Sequence, residues 1–151
     1  MGSLGKILAL GLVLLLLGFA VWVRLTPSDP ADWHRSSGLR DVGDERGEGS
    51  FIATRPLGDR SGAEVLAALD AAALATPRTR RLAGSPGEGM ITWVTRSAFW
   101  GFPDYTTAWV DTDTVTVHGR LRFGRSDLGV NEARVRAWLA AIGMDGGGQS
   151  R

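Results

Sequence analysis

The sequence predicts an α+β protein: an N-terminal transmembrane helix, then a small antiparallel sheet with two helices packed on one face. Two observations carry this prediction. The chain opens with a long uncharged run rich in leucine, and the remainder contains stretches with strand periodicity and stretches with helix periodicity. At 151 residues, the chain is long enough for one hydrophobic core.

The leucine-rich run covers residues 7–23, where no side chain carries a charge. With its apolar flanks it extends over residues 4–25, about the 30 Å of a bilayer core at a rise of about 1.5 Å per residue. Trp22 and Arg24 are of the types favoured at a membrane interface. We therefore expect the lipid bilayer to contact residues 4–25.

The alternative for this run is a secretory signal peptide cleaved after Ala20, because small residues stand at the positions that a peptidase requires. The apolar run nevertheless continues beyond that point, through residues 21–23. The sequence therefore favours residues 1–25 as an uncleaved transmembrane anchor.

A flexible tether is predicted at residues 26–50, which are rich in Pro, Gly, Ser and alternating charges. Trp33 and Leu39 are apolar exceptions that we expect to dock on the domain. The α+β domain itself is predicted at residues 51–143, and residues 144–151 are predicted to be a disordered tail.

The predicted elements of the domain begin with a short strand at residues 51–53. A capping box of Ser61 and Glu64 then starts a helix that ends before Pro77. Further strands are predicted at residues 90–97, 105–110 and 114–123, after a turn at 84–89 and around a hairpin loop at 111–113. A closing helix is predicted from Asn131, as its cap, to Ile142.

The strand after the hairpin shows the clearest alternation in the chain. Its apolar face carries Val115, Val117, Leu121 and Phe123, and its polar face carries Thr114, Thr116, His118, Arg120 and Arg122. This pattern is typical of a sheet that is packed on one side and solvated on the other.

Composition excludes several classes of function. A formal net charge of +1 argues against binding to nucleic acid. With no cysteine and only two histidines, the chain lacks thiolate chemistry and the usual ligands of a zinc site. We therefore expect no cofactor and no metal site.

Arginines on the polar sheet face are the candidate ligand-binding residues. Arg96, Arg120 and Arg122 would suit a phosphate or a carboxylate, because a guanidinium binds such groups bidentately. The alternative is a solvated face with scattered ion pairs. Asp104 and Asp127 are expected either to orient these arginines at the site or to act as structural partners and turn formers.

A run of aromatic residues at 99–102 has two interpretations of equal weight. The run is expected to contact the membrane surface or a partner, since clustered apolar loop residues need an apolar neighbour. The alternative is a lid folded back on the core.

Five motifs of the chain resemble one known family. They are residues 28–34 (SDPADWH), 77–80 (PRTR), 94–97 (VTRS), 102–105 (FPDY) and 122–131 (RFGRSDLGVN). Together they make residues 28–142 similar to the bacterial "domain of unknown function 1499" family. That family tends to have a Ser-Arg-Ser-Arg run where this chain has Gly-Arg-Leu-Arg at 119–122, so two hydroxyls are missing. The resemblance implies no established activity.

We expect a single-pass protein of the bacterial inner membrane whose domain faces the periplasm. The segment before the apolar run is very short, and long domains translocate largely regardless of charge. Arg24, Arg35 and Arg40 on the domain side favour the opposite orientation.

Because no catalytic constellation is recognisable, the sequence favours a non-enzymatic module of the cell envelope. Its expected partner is an envelope protein or a small anion. The alternative is a hydrolase-like or lipid-modifying enzyme that uses Asp104, Asp127 and His118. A deep pocket that collects these three residues would favour the enzyme.

Overall fold

Residues 2–146, described by a computed structural model, form four α-helices and six β-strands. The helices are α1 (Ser3–Leu25), α2 (Pro30–Trp33), α3 (Gly62–Leu74) and α4 (Val130–Ala141). The strands are β1 (Gly43–Gly47), β2 (Ser50–Pro56), β3 (Thr79–Ser85), β4 (Met90–Arg96), β5 (Pro103–Asp111) and β6 (Thr114–Leu121). A single turn of 3₁₀-helix at Pro86–Glu88 joins β3 to β4.

All six strands belong to one antiparallel sheet, in the order β1-β2-β6-β5-β4-β3. The predicted hairpin, formed by β5 and β6, lies at its centre, although Asp111 pairs with Thr114 as the last residue of β5 and is not part of the loop. A long apolar N-terminal helix, an antiparallel sheet and further helices confirm the α+β class.

Alternate residues of four strands join α3 and α4 in one buried hydrophobic cluster. From the strands it contains Phe51, Ala53, Ile91, Trp93, Ala108, Val115 and Val117, and from the helices Val65, Leu66, Leu69, Ala73, Val135, Trp138 and Leu139. The Trp93 and Trp138 rings meet edge to face, with centroids 5.4 Å apart. Both indoles are therefore part of the core.

Local signals explain where α3 and α4 lie. The predicted capping box is formed: the Glu64 backbone N–H donates to the Ser61 hydroxyl, and the Ser61 N–H donates to the Glu64 carboxylate. On β6, Gly119 lets α4 approach, because a Cβ there would lie 3.2 Å from atoms of Asn131 and Val135. A larger residue at 119 would push α4 away from the sheet.

The sequence predicts neither of the two edge strands, β1 and β3. Strand β1 has the sequence GDERG and carries no apolar residue, although it pairs with β2 along its whole length. Strand β3, with the sequence TRRLAGS, has a register shift between Arg81 and Ala83 that interrupts the alternation of its faces. Charged and irregular edges protect a sheet against edge-to-edge association, and they also remove its sequence signal.

Residues 26–50, predicted to be a flexible tether, contain α2 and β1. Trp33 docks on the domain as predicted: its ring stacks on that of Tyr105, with centroids 3.8 Å apart. Leu39 does not dock, since 80% of its surface is exposed. The folded part of the chain therefore begins well before residue 51.

The C-terminal boundary also differs from the prediction. Met144, assigned to the disordered tail at 144–151, is buried in the core, and its carbonyl accepts a hydrogen bond from Arg55 at 3.2 Å. Residues 147–151 of that predicted tail lie outside the described residues.

Candidate functional site

The polar face of β6 is covered, so the prediction of a solvated face is wrong. On the same face of the sheet, Thr92 of β4 and Thr107 of β5 have no exposed surface, and Thr116 of β6 is 2% exposed. The cover is the segment that follows α1: the Trp33 carbonyl accepts from Thr107 Oγ1 at 3.1 Å, and His34 Nδ1 lies 3.0 Å from Thr92 Oγ1.

Arg120 and Arg122 share this face, as the alternation predicts, and both bind the covering segment. Arg120 donates to the Trp33 carbonyl and, at 3.0 Å, to Thr107 Oγ1. Arg122 donates to the Pro27 carbonyl at 2.8 Å and to the Tyr105 hydroxyl at 3.1 Å. Their acceptors are neutral, and neither guanidinium forms an ion pair within residues 2–146.

Asp104 does not pair with these arginines, because it lies on the other face of the sheet, where it opposes Leu121. Its carboxylate is 3.3 Å from Arg134 of α4. Burial raises the pKa of Asp104 above its ordinary value, and the nearby Arg134 guanidinium only partly offsets this effect. The observed contacts of Asp104 match the alternative of a structural ion-pair partner.

Asp127 caps α4. Its carboxylate accepts from the backbone N–H of Gly129 at 3.1 Å and of Asn131 at 2.7 Å. Burial raises its pKa, but these hydrogen bonds outweigh that effect and hold the pKa below the ordinary value. Asn131, predicted to be the cap, is instead buried inside the helix. The observed contacts of Asp127 match the alternative of a turn former.

His118 lies on the covered face, opposite Thr107. Burial, reinforced by the charges of Arg120 and Arg40, lowers the pKa of His118 to about 4, so the ring is neutral at pH 7. Asp104 lies on the opposite face of the same sheet. The sheet therefore separates His118 from Asp104, and the Asp127 carboxylate is bound to the backbone at the start of α4.

A cleft that the sequence does not single out lies beside the end of α1. It has a volume of about 480 Å³ and is lined by four arginines, Arg24, Arg78, Arg80 and Arg96, together with Thr79, Val94, Ser97, Ala98 and Gly101. Arg96 is the one predicted ligand-binding residue in it. We call this site the arginine cleft.

Three separate chain segments bring these arginines together. Arg80 and Arg96 project from the same sheet face, since Arg80 opposes Val94, two residues before Arg96. Arg24 comes from the last turn of α1, and it passes over Gly101, where a Cβ would lie 2.9 Å from Arg24 Cγ. The positive φ of Gly101, +75°, also suits glycine.

No carboxylate neutralises the arginine cleft within residues 2–146: none of its four arginines forms an ion pair there. Instead, Arg24 donates to the Phe99 carbonyl at 2.9 Å, and Arg96 donates to the Gly101 carbonyl at 2.9 Å and the Val23 carbonyl at 3.4 Å. Among the described residues, no group of three or more His, Asp or Glu is placed to hold a metal ion.

The aromatic run at 99–102 packs against the end of α1. The Phe102 ring centroid lies 6.1 Å from that of Phe19 and 5.8 Å from that of Phe123, whose ring is 5.9 Å from Trp22. Phe123, predicted on the apolar face of β6, instead follows the strand and joins these rings. Phe99 remains 77% exposed. We call residues 99–102 the aromatic loop.

The class of protein defined by these features is a small antiparallel α+β domain that follows a long apolar helix. A family model described as a protein of unknown function, DUF1499, matches residues 23–142. The chain therefore belongs to this family, as its motifs indicate. Comparison with curated proteins finds no match.

Proposed function

We propose that the protein is a single-pass protein of the bacterial inner membrane whose periplasmic domain binds an anionic ligand in the arginine cleft. One observation carries this proposal. Four guanidiniums from three chain segments meet in one cleft beside a helix long enough to cross a bilayer, and no carboxylate among the described residues neutralises them.

The membrane anchor is supported by the surface of α1. This helix has 23 residues, and its most apolar 18-residue stretch is not buried against the rest of the protein. A helix that is apolar on every side needs an apolar surrounding, which a bilayer supplies.

Retention of the anchor is favoured over cleavage after Ala20 by contacts at the end of α1. Val23 is fully buried, the Trp22 ring packs against Phe123, and the Phe19 ring packs against Phe102. Cleavage after Ala20 would remove Phe19 and its contact with Phe102, whereas Trp22 and Val23 would remain. The described domain therefore uses part of α1 as a structural element.

Electrostatics favours an anion in the cleft. Like charges in one cleft repel each other, and a phosphate or carboxylate group reverses that penalty while it accepts bidentate hydrogen bonds from arginine. The carboxylates that pair with arginine elsewhere, such as Asp44, Asp70 and Glu132, are bound to other guanidiniums. A volume of about 480 Å³ falls within the range typical of small-ligand sites.

A thermal-shift titration of the full-length protein in detergent tests this proposal, with inorganic phosphate, glycerol phosphate and citrate as probes. We expect at least one anion to raise the melting temperature of the wild type. The double variant R78Q/R80Q should lose this effect. The matched control R35Q/R125Q removes the same charge from exposed positions outside the cleft and should retain it. An equal loss in both variants, or no stabilisation of the wild type, would contradict the proposal.

The orientation is testable because the chain has no cysteine. A cysteine introduced by Gly87→Cys, at an exposed position where a Cβ meets nothing within 4 Å, should react with a membrane-impermeant maleimide in intact spheroplasts. A cysteine introduced by Ser3→Cys should react only after lysis. The opposite pattern would place the domain in the cytoplasm.

A further inference from the structure

A second concave site adjoins the arginine cleft and differs from it in polarity. It has a volume of about 410 Å³ and lies between α1 and the aromatic loop. Its walls are Val13, Leu16, Leu17 and Ala20 of α1, together with Phe99 and Trp100. We call it the apolar groove.

Arg24 lines both the arginine cleft and the apolar groove, so the two sites meet at this residue. On one side of Arg24 stand three further guanidiniums. On the other side, the walls are aliphatic and aromatic. A single ligand that fills both sites must therefore be an amphiphile, with an anionic head and an apolar chain.

The depth of the groove along α1 matches a lipid. Leu17 precedes Arg24 by seven residues and Val13 by eleven, which correspond to about 10 Å and about 16 Å along a helix that rises about 1.5 Å per residue. If Arg24 lies at the interface, where arginine is favoured, the groove lies at the depth of the acyl chains. The exposed Phe99 ring then also lies in an apolar environment.

We propose that the ligand of the arginine cleft is an anionic membrane phospholipid, whose phosphate binds the arginines and whose acyl chain lies in the apolar groove. This inference rests on the proposed function and names its ligand. A free anion would neutralise the cleft but leave the groove lined by bare Leu17 and Trp100. An acidic protein segment would likewise have no chemical reason to enter a groove at this depth.

A lipid can enter the groove from the side, because the groove lies along the exposed apolar surface of α1, which the proposed function places in the bilayer. The aromatic loop forms the opposite wall, held to α1 by the hydrogen bond from Arg24 to the Phe99 carbonyl. Arg24 therefore both fixes the loop and adjoins the bound phosphate. The domain is thereby seated on the membrane at the level of the headgroups.

Native mass spectrometry of the full-length protein in detergent tests the inference with three probes: phosphatidylglycerol, phosphatidylcholine and glycerol phosphate. We expect phosphatidylglycerol to bind at least about tenfold more tightly than either of the other two, a difference that about 1.4 kcal/mol of binding free energy produces. The R78Q/R80Q variant should bind phosphatidylglycerol no better than phosphatidylcholine.

A matched pair of substitutions on α1 isolates the groove. Leu17 lines it, whereas Leu15 is 68% exposed and lies outside its walls. L17W should fill the groove and weaken phosphatidylglycerol binding about tenfold, with glycerol phosphate binding unchanged. L15W, which adds the same ring to the lipid-facing surface, should bind phosphatidylglycerol like the wild type.

The possible failures are distinguishable. If no anion stabilises the wild type in the thermal-shift titration and phosphatidylglycerol does not bind either, the proposed function itself is wrong. If glycerol phosphate binds as tightly as phosphatidylglycerol and L17W has no effect, the ligand is a soluble anion and the lipid assignment is overturned. If polyglutamate, added as a fourth probe, is the one anion that binds through Arg78 and Arg80, the cleft is a protein-docking site and the lipid assignment is again overturned.

Discussion

Neutral His118 should make the stability of the domain fall between pH 7 and pH 5. Burial and the charges of Arg120 and Arg40 lower the pKa of His118 from 6.5 to about 4 in the folded state. Well above pH 7 the ring is neutral in both states and contributes nothing to the pH dependence. As the pH falls from 6.5 to 4, the His118 ring binds a proton in the unfolded chain but not in the folded domain, so the free energy of unfolding falls.

The size of this loss follows from the difference of about 2.5 pH units between the two pKa values. At about 1.4 kcal/mol per unit, the full effect is about 3 kcal/mol and is reached below pH 4. Between pH 7 and pH 5 the same linkage gives a loss of about 2 kcal/mol. This is a large share of the free energy of unfolding of a small domain.

Urea titration of the full-length protein in a non-ionic detergent measures the loss, with the near-ultraviolet dichroism of the tryptophans as the probe. The wild type should lose about 2 kcal/mol between pH 7 and pH 5, and H118Q should lose much less. Because the carboxylates are common to both proteins, their titration cancels in this comparison. H34Q shows how much of the change belongs to the other histidine. Equal losses in the wild type and H118Q would refute the argument.

Three further substitutions test the packing. R55A removes a guanidinium that is 2% exposed and lies 2.7 Å from Asp44; it should cost about 3 kcal/mol in urea unfolding, whereas an exposed control, R125A, should cost little. G119A should cost about 1–3 kcal/mol, because the new methyl crowds α4, while G87A, in open space, should be nearly neutral by the same assay. W33A removes the ring stacked on Tyr105 and should speed tryptic cleavage in the covering segment, whereas W33F should restore resistance.

The fold was predictable where the signals are local. The capping box at Ser61 fixes the start of α3, and the alternation of β6 follows from residues adjacent in sequence. Edge strands are different, because half of their hydrogen-bonding groups have no neighbouring strand and their side chains need no core. Strand β1 pairs with β2 through its backbone, and its side chains add only polar contacts such as the Asp44–Arg55 ion pair. A sequence such as GDERG therefore joins the sheet without an alternation of apolar and polar residues.

The sequence does not predict that the polar face of β6 is covered, for a related reason. The polar alternation of β6 is read as a solvated face when the neighbouring element is unknown. Here, a segment about 90 residues away in sequence covers it, since Arg120 donates to the Trp33 carbonyl and Arg122 to the Pro27 carbonyl. Threonines on this face satisfy one another, as Thr92 and Thr107 do at 2.9 Å, so burial requires no apolar residue.

The partners of the arginines divide the molecule into two regions with different electrostatics. A carboxylate partner can be recognised in the sequence, because it must be Asp or Glu. A backbone carbonyl cannot, because every residue has one. Arg134 and Arg136 of α4 have carboxylate partners, and their charge is compensated. Arg24 and Arg96 bind carbonyls, which satisfy their hydrogen bonds but not their charge. Positive potential therefore persists at the end of α1, which is where an anionic bilayer surface would meet the domain.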